Sequence, residues 1–429
     1  MLLKTVLNRV HPVKGFVYEK VQLTEAPGQP TGLRLDVQVR SRHGSRGYCS
    51  GCGRRGRTYD HLDERRFDFV PLWGIAVVWL YAMRRIDCPR CGVTVEWVPW
   101  AERGSKCHAT LALQGFLARW AKRLSWQEVA EVFAVSWETV YRSVQWAVAY
   151  GLAHRDLTGI TAIGVDEVAW RKGHRYLTLV YQIDEGRRRL LHVREGRSLR
   201  SLMSFFVMMR RAGRRQGLDL LANIRFVCSD MWKPYLRVIA KMLPDSVHIL
   251  DRYHIVANLN KALDQVRAAE AKRLKAQGYE PHLKQTRWCF LKRKANLTQK
   301  QKLRLREVLQ YDLVTVRAYL KVQALQALWA YTSPTWAGKF LDAWCRDVMR
   351  SRIAPLKKVA RSLREHRPLI LNWFKAKKQY NAGIVEGLNA NAKLRFRKAY
   401  GFRTLDAMQV ALYHQLGQLP EPEVAHRFC

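Results

Sequence analysis

Between residues 160 and 255 the apolar positions fall into short β-branched runs separated by one longer helical stretch. "TAIGVDEVAW" (161–170), "YLTLVYQID" (176–184) and "RLLHVRE" (189–195) predict three consecutive strands, with "DEGR" (184–187) turning the second into the third as a hairpin. "SLRSLMSFFVMMRR" then takes helical spacing behind Ser198 as its N-cap. "IRFVCSD" (224–230) predicts a fourth strand, "YLRVIAKML" a helix, and "SVHILDRYH" (246–254) a fifth strand. This order predicts a mixed sheet with helices packed on it.

Outside that zone the pattern changes three times. Residues 1–40 hold alternating stretches such as "LRLDVQV" that read as strands, and residues 45–100 carry paired cysteines among further strand-like runs. Residues 108–150 are helical in spacing, and 255–380 are almost wholly helical and rich in Lys, Arg and Trp, before a last helix near 384–398. In "LSWQEVAEVFAVSWETVYRSVQWAV" (124–148), Ser125 and Glu128 form a capping box, "AV" makes the turn, and Ser136 caps a second helix. Val140 and Val144 face inward there, which leaves Trp137, Glu138, Thr139, Arg142 and Ser143 outside at its N-terminal end. Such an exposed set is what a recognition helix offers to a major groove, so a helix-turn-helix is expected.

Charge strengthens that expectation. The chain has 75 Lys and Arg against 35 Asp and Glu in 429 residues, a net charge of +40. A field of that sign attracts polyanions, nucleic acid first among them. The longest apolar run, "IAVVWLYAM" (75–83), is about half of the ~20 residues that a membrane span needs, and the N-terminus lacks the pattern of a secretory signal. A cytoplasmic protein with reduced thiols is expected. In that setting paired cysteines bind metal more often than they form disulfides.

Cys49/Cys52 and Cys88/Cys91 form two C-x-x-C-G knuckles. Two intervening residues let both thiolates of a pair meet one ion, and the following glycine lets the backbone turn its amides toward the sulfurs. Four thiolates make a closed tetrahedral site, so a structural Zn²⁺ is expected. The gap between the pairs exceeds the roughly 15–20 residues of the simplest pattern, so the intervening loop must hold strands of its own. Cys107 and His108 are alternative ligands.

The acids point to a second metal. Asp166 lies in the first strand of the sheet, Asp230 ends the fourth, and Glu386 lies in "NAGIVEGLNANAKLRFRKAYGFR" (381–403). In that last helix Ile384, Leu388, Ala392 and Phe396 recur every four residues and predict the buried face, leaving Glu386, Asn389, Lys393 and Arg397 on another. Two strand carboxylates and one helix carboxylate at a sheet edge could hold two Mg²⁺ or Mn²⁺ ions about 4 Å apart, an arrangement suited to phosphoryl transfer. Glu167 should point to the opposite face of its strand from Asp166. Asp251 and His254 are candidate outer groups, and Glu365 is a rival for the third ligand. Trp232, beside Asp230, either stacks on a base or covers the sheet edge. Lys393, Arg395, Arg397 and Lys398, interleaved with aromatics, are candidates for gripping phosphates.

Taken together, the cysteine knuckles, the helix-turn-helix, "GVDE", "CSDMWKPY", "HILDRYHIV" and the closing segment at 381–403 resemble the ISL3 family of insertion-sequence transposases over nearly the whole chain. The resemblance implies an α/β multidomain protein with five segments. These are an N-terminal zinc-ribbon-like module (1–105), a helix-turn-helix (106–155), the first part of an RNase H-like catalytic domain (156–254), a helical insertion (255–378) and the final catalytic part (379–429). It implies a DDE triad matched to Asp166, Asp230 and Glu386, and terminal inverted repeats as substrate. A protein that pairs two DNA ends is expected to act as a homodimer. A non-catalytic DNA-binding regulator, or an inactivated transposase, would have no need for the three acids to meet. A nuclease acting on RNA–DNA hybrids would need no end-specific N-terminal half.

Overall fold

The computed structural model describes residues 3–104, 107–171, 173, 175–279, 282–380, 382–398 and 401–423, without the side chains of Ala382, Arg395, Phe396 and Lys398. Two compact units divide the chain, Met1–Asp156 with Leu394–Cys429, and Leu157–Lys393. Among the described residues there are 15 α-helices and two mixed sheets.

The first unit begins with α1 (Leu3–Val10), then β1 (Phe16–Glu25), β2 (Leu33–Ser41), β3 (Gly47–Cys49), β4 (Arg55–Leu72), β5 (Ile75–Cys88) and β6 (Gly92–Trp97). These strands form one sheet in the order β1-β2-β5-β4-β3-β6, with β6 also paired to β5. Its core is aromatic. Trp79 is fully buried, stacked on Phe69 at 4.4 Å between ring centroids and edge-on to Trp100 at 5.6 Å. Each such ring buries enough apolar area to stabilise the fold by a few kcal/mol.

One buried ion pair in this sheet is closely matched. The buried Arg84 guanidinium meets Glu96 at 2.7 Å, and Glu96 also accepts from the Tyr81 hydroxyl at 2.5 Å and the Arg84 amide at 2.9 Å. Because the pair is buried and fully hydrogen-bonded, Glu96→Ala would leave a guanidinium without counter-charge. A loss of about 3–5 kcal/mol in the free energy of unfolding is expected, read as a shifted denaturant midpoint at unchanged slope.

Three helices follow, α2 (Leu111–Trp120), α3 (Trp126–Val132) and α4 (Trp137–His154). Ser125 and Glu128 form the expected capping box, and Ser136 accepts from the Thr139 amide to start α4. The turn between them places Ala134 at a positive φ of 49°. Val140 and Val144 are fully buried, as the spacing predicts. Ser143 is a correction: it is buried rather than outside, and its hydroxyl donates to the Thr139 carbonyl at 2.7 Å. A small side chain that satisfies its own hydroxyl within the helix can lie against the core at little cost.

The second unit is built on β7 (Ala162–Arg171), β8 (Arg175–Asp184), β9 (Arg187–Glu195), α5 (Leu199–Gln216), β10 (Phe226–Ser229), α6 (Lys233–Met242) and β11 (Val247–Leu250). The sheet order is β11-β10-β7-β8-β9, with β7, β8 and β9 antiparallel and β10 parallel to both β7 and β11. Phe205, Phe206 and Met209 of α5 and Tyr235, Val238 and Ile239 of α6 pack against Ile163, Val165, Val180 and Val227. The predicted fifth strand is shorter than its apolar pattern, because Asp251 accepts from the Tyr253 amide and starts a helix at once.

That helix, α7 (Arg252–Ala276), opens a helical stretch of α8 (Arg287–Leu291), α9 (Gln299–Val308), α10 (Val314–Gln326), α11 (Pro334–Arg350), α12 (Ala354–Glu365) and α13 (Arg367–Lys375). Within it the buried Glu270 of α7 accepts from the Val314 and Thr315 amides and so caps α10 across 44 residues of chain. The chain ends with α14 (Ala382–Lys398) and α15 (Leu405–Leu416), the latter in the first unit. Neither α1 nor α15 is apparent from the sequence pattern. No helix among the described residues is long and apolar enough to cross a membrane.

Candidate active site

Register decides which acids meet. On β7 Val165 faces the layer of α5 and α6, so Gly164 and Asp166, one residue to either side, face the other way. Gly164 lies opposite Tyr181 of β8. On this face α14 approaches closely enough that a Cβ on Gly164 would run into the Val385 side chain. Among the described side chains of α14, the buried ones are Val385, Asn389 and Ala392. Here the sequence-based expectation is corrected: Ile384 and Leu388 are only half-buried, and Asn389 is turned inward instead of sharing the face of Glu386. Its amide accounts for this, donating to Asp166 Oδ2 at 2.5 Å and accepting from the Tyr181 hydroxyl at 2.8 Å. Glu386, Lys393 and Arg397 are exposed, while the side chains of Phe396, Arg395 and Lys398 lie outside the described residues.

Asp166 takes its second hydrogen bond from the Glu167 amide at 2.8 Å. Burial pushes its pKa up and the Asp230 charge adds to this, while the Glu167 amide, His254 and Lys393 pull it down. Asp230 sits just past β10 and is 8% exposed. Its Oδ1 accepts from the Trp232 amide at 2.9 Å and its Oδ2 meets the Arg197 guanidinium at 3.2 Å. Among the described residues each oxygen of these two carboxylates has one protein donor, of the roughly four acceptor positions that a carboxylate offers.

Two further acids stand close by. Glu167 points to the other face of β7, as alternation predicts, and pairs with Arg197. Burial first, and then Asp230, pushes its pKa up to about 7. Asp251, the cap of α7, lies 3.6 Å from His254 Nε2. Its pKa rises to about 6, chiefly from burial, with His254 opposing and the charges of Asp166 and Glu386 adding to the rise. Asp251 therefore stands within electrostatic reach of the acids on both β7 and α14. Glu365 is exposed and paired with Lys233 at 3.0 Å.

Arg197 has no sequence signature of its own. It precedes the Ser198 cap, pairs with both Glu167 and Asp230, and lies over the Trp232 ring at 4.3 Å from the centroid. The half-exposed Trp232 thus carries a guanidinium on its face.

The sulfurs of Cys49, Cys52, Cys88 and Cys91 all lie within 4.8 Å of one another, and no other group of three or more His, Cys, Asp or Glu among the described residues is drawn together so tightly. The four cysteines could hold one metal ion. Gly53 and Gly92, each just after a pair, sit at φ of 77° and 71°, where a side chain would be strained. The Thr94 hydroxyl and the backbone amides of Cys52 and Gly51 converge on Cys49 and lower its pKa to about 6. Cys107 and His108 stand apart from the cluster, His108 bonding the Arg66 carbonyl.

At the surface of α4, Trp137 stacks on Tyr141 and tilts against Trp126, and Arg142 pairs with Glu138 at 2.8 Å. Thr139 is half-buried, its hydroxyl on Ser136.

Comparisons with known proteins agree on one family. Residues 163–412 match the family model for the ISL3-type DDE transposases, described as "Transposase". The transposase for insertion sequence element IS1001 of Bordetella parapertussis is 28% identical, over 94% of this chain and 96% of its own length. The transposase for IS1557 of Mycobacterium tuberculosis is also 28% identical, over 88% of this chain and 87% of its own. With the matched segment spanning the whole β7–β11 sheet and α14, the chain belongs to the ISL3 family of transposases.

Proposed function

We propose that this protein binds the terminal inverted repeats of its own insertion sequence and cuts and joins DNA there by metal-dependent phosphoryl transfer. One observation carries this reading. Asp166 of β7 stands within electrostatic reach of Asp230 at the end of β10 and of Asp251 at the start of α7, and Asp251 in turn within reach of Glu386 on α14, in a chain whose net charge is +40. Clustered, partly buried carboxylates are costly without a cation. Hard oxygen donors suit Mg²⁺ or Mn²⁺, so Asp166, Asp230 and Glu386 would be the ligands, with Asp251 and His254 beside them. The metal would activate a water or 3′-hydroxyl and stabilise the leaving oxygen. The protein's own contribution is placement: Arg197 and the Trp232 amide orient Asp230, and Asn389 and the Glu167 amide orient Asp166. Lys393 stands where it can balance charge near Asp166.

The sheet order, with three antiparallel strands followed by two parallel ones and helices α7–α13 interposed before α14, supports an RNase H-like domain with a helical insertion. The cysteine cluster is read as a structural Zn²⁺ site, because four thiolates favour tetrahedral zinc. The α3–α4 pair is read as a helix-turn-helix that locates the ends, with Trp137, Glu138 and Arg142 toward the groove. Bringing two ends together favours a homodimer working on chromosomal DNA in the cytoplasm.

The test uses purified protein and DNA from the genomic borders of its own reading frame. Cutting at the ends in Mg²⁺ or Mn²⁺, and none without metal, is expected. Specific binding without cutting in either metal would make the protein a regulator instead. Arg142→Ala supplies a separate check on α4. Affinity for any DNA should fall steeply with salt. Arg142→Ala should cost about 1–3 kcal/mol of discrimination between end and random DNA while changing random-DNA affinity little. Equal losses on both DNAs would remove α4 as the reader.

A further inference from the structure

Asn389 is 4% exposed, and both ends of its amide are spoken for. The Tyr181 hydroxyl, itself fully buried, donates to Oδ1, so Nδ2 is the end that faces Asp166. The reverse orientation would set two oxygen acceptors against each other at the carboxylate. Glu386 lies three residues earlier on the same helix, directly after Val385, which packs over Gly164 of β7. Glu386 is therefore bracketed by two anchors on the sheet, one apolar and one directional. An apolar side chain of similar size could take its place on the buried face of α14 beside Val385 and Ala392. What only an amide supplies is direction, and a buried amide is costly unless both its ends are bonded.

We propose that Asn389 is a positioning residue of the active site. Held by Tyr181, it aims one oxygen of Asp166 and sets the register of α14 on β7, and thereby the place of Glu386. The inference rests on the reading of Asp166 and Glu386 as metal ligands. If α14 slid by one residue or rotated by a third of a turn, the Asn389 amide would leave both partners at once, so the two bonds resist the same motions that would carry Glu386 away from Asp166.

The test compares full-length Asn389→Leu and Tyr181→Phe with the parent. Three quantities are measured: Mn²⁺ affinity without DNA, followed by electron paramagnetic resonance; affinity for end DNA; and thermal melting. Cleavage as a function of Mg²⁺ concentration is recorded alongside. Groups that orient metal ligands typically contribute about 10–100-fold to metal affinity or activity. Asn389→Leu is therefore expected to weaken Mn²⁺ binding and raise the Mg²⁺ needed for half-maximal cleavage by roughly tenfold or more, with end-DNA affinity close to the parent and melting lowered, because the buried Tyr181 hydroxyl loses its acceptor. Tyr181→Phe, which removes only the hydroxyl, should shift both in the same direction by less. It should add nothing in the Asn389→Leu background, because the hydroxyl acts through the amide. Parent-like metal dependence in Asn389→Leu, or additive effects of the two changes, would overturn the proposal. Should Asn389→Leu fail to fold, Tyr181→Phe carries the test alone, and an unchanged Mn²⁺ affinity there is equally fatal. Asp230→Asn run in parallel separates the two levels. If it still cuts, the catalytic reading falls; if it is inactive while Asn389→Leu behaves as the parent, only the positioning role falls.

Discussion

Asp230→Asn is expected to bind end DNA as tightly as the parent and to cut it roughly 10³-fold more slowly in Mg²⁺, a loss of about 4 kcal/mol in transition-state stabilisation. The substitution is nearly isosteric. The amide oxygen can still accept from the Trp232 backbone, so the turn that leads into α6 should survive. The other end now presents a donor to the Arg197 guanidinium where a carboxylate oxygen stood, and Arg197 should fall back on Glu167, with which it is already paired. Structure is thus retained while one full negative charge leaves the proposed metal site. The DNA binding proposed for the α3–α4 region has no need of that charge. Filter binding on end DNA and a cleavage assay on the same fragment measure the two separately. Cutting within tenfold of the parent would end the metal role of Asp230.

The second large effect concerns the cysteine cluster. Metal analysis should find about one zinc per chain, and Cys88→Ser, or removal of metal by a chelator, should unfold the region around β3 and β6. The reason lies in the size of those strands. β3 has three residues and β6 has six, and the knuckle turns lie at either end of them. Strands so short cannot repay their ordering entropy by pairing alone, whereas zinc held by four thiolates contributes about 10–16 kcal/mol in small zinc domains. The aromatic core around Trp79 belongs to the longer β1, β2, β4 and β5, so it should outlast the loss and give a two-step melt. Protein that is metal-free and melts as the parent does would refute the site.

Much of the molecule was legible in one dimension. The hairpin of β8 and β9, the caps Ser125, Ser136 and Ser198, the inward Val140 and Val144, and the paired cysteines with their glycines all depend on interactions within a few residues. Alternation along β7 likewise separates Asp166 from Glu167 without knowledge of what covers either face. Such signals are short-ranged, and short-range physics is what a sequence displays directly.

Other features depend on what a segment meets in space. For α14, two apolar stripes compete at helical spacing, and the pattern alone favours Ile384 and Leu388. The outcome was decided by Gly164, whose missing side chain admits Val385, and by Tyr181, whose buried hydroxyl requires a polar partner that Asn389 supplies. Ser143 turned inward because its hydroxyl was satisfied locally. Arg197 reaches Asp230 from another strand's end, and no spacing rule links the two. In the first unit, Glu421 pairs with Arg119 and Lys122 of the α2 region, and Leu419 lies against Gly151 of α4. By itself, then, the sequence determined the strands and helices of the β7–β11 sheet, the caps, the cysteine cluster and the candidate acids. The tertiary structure alone decided the rotation of α14 and the partners of each acid, because buried polar groups must find hydrogen bonds from residues far away in the chain.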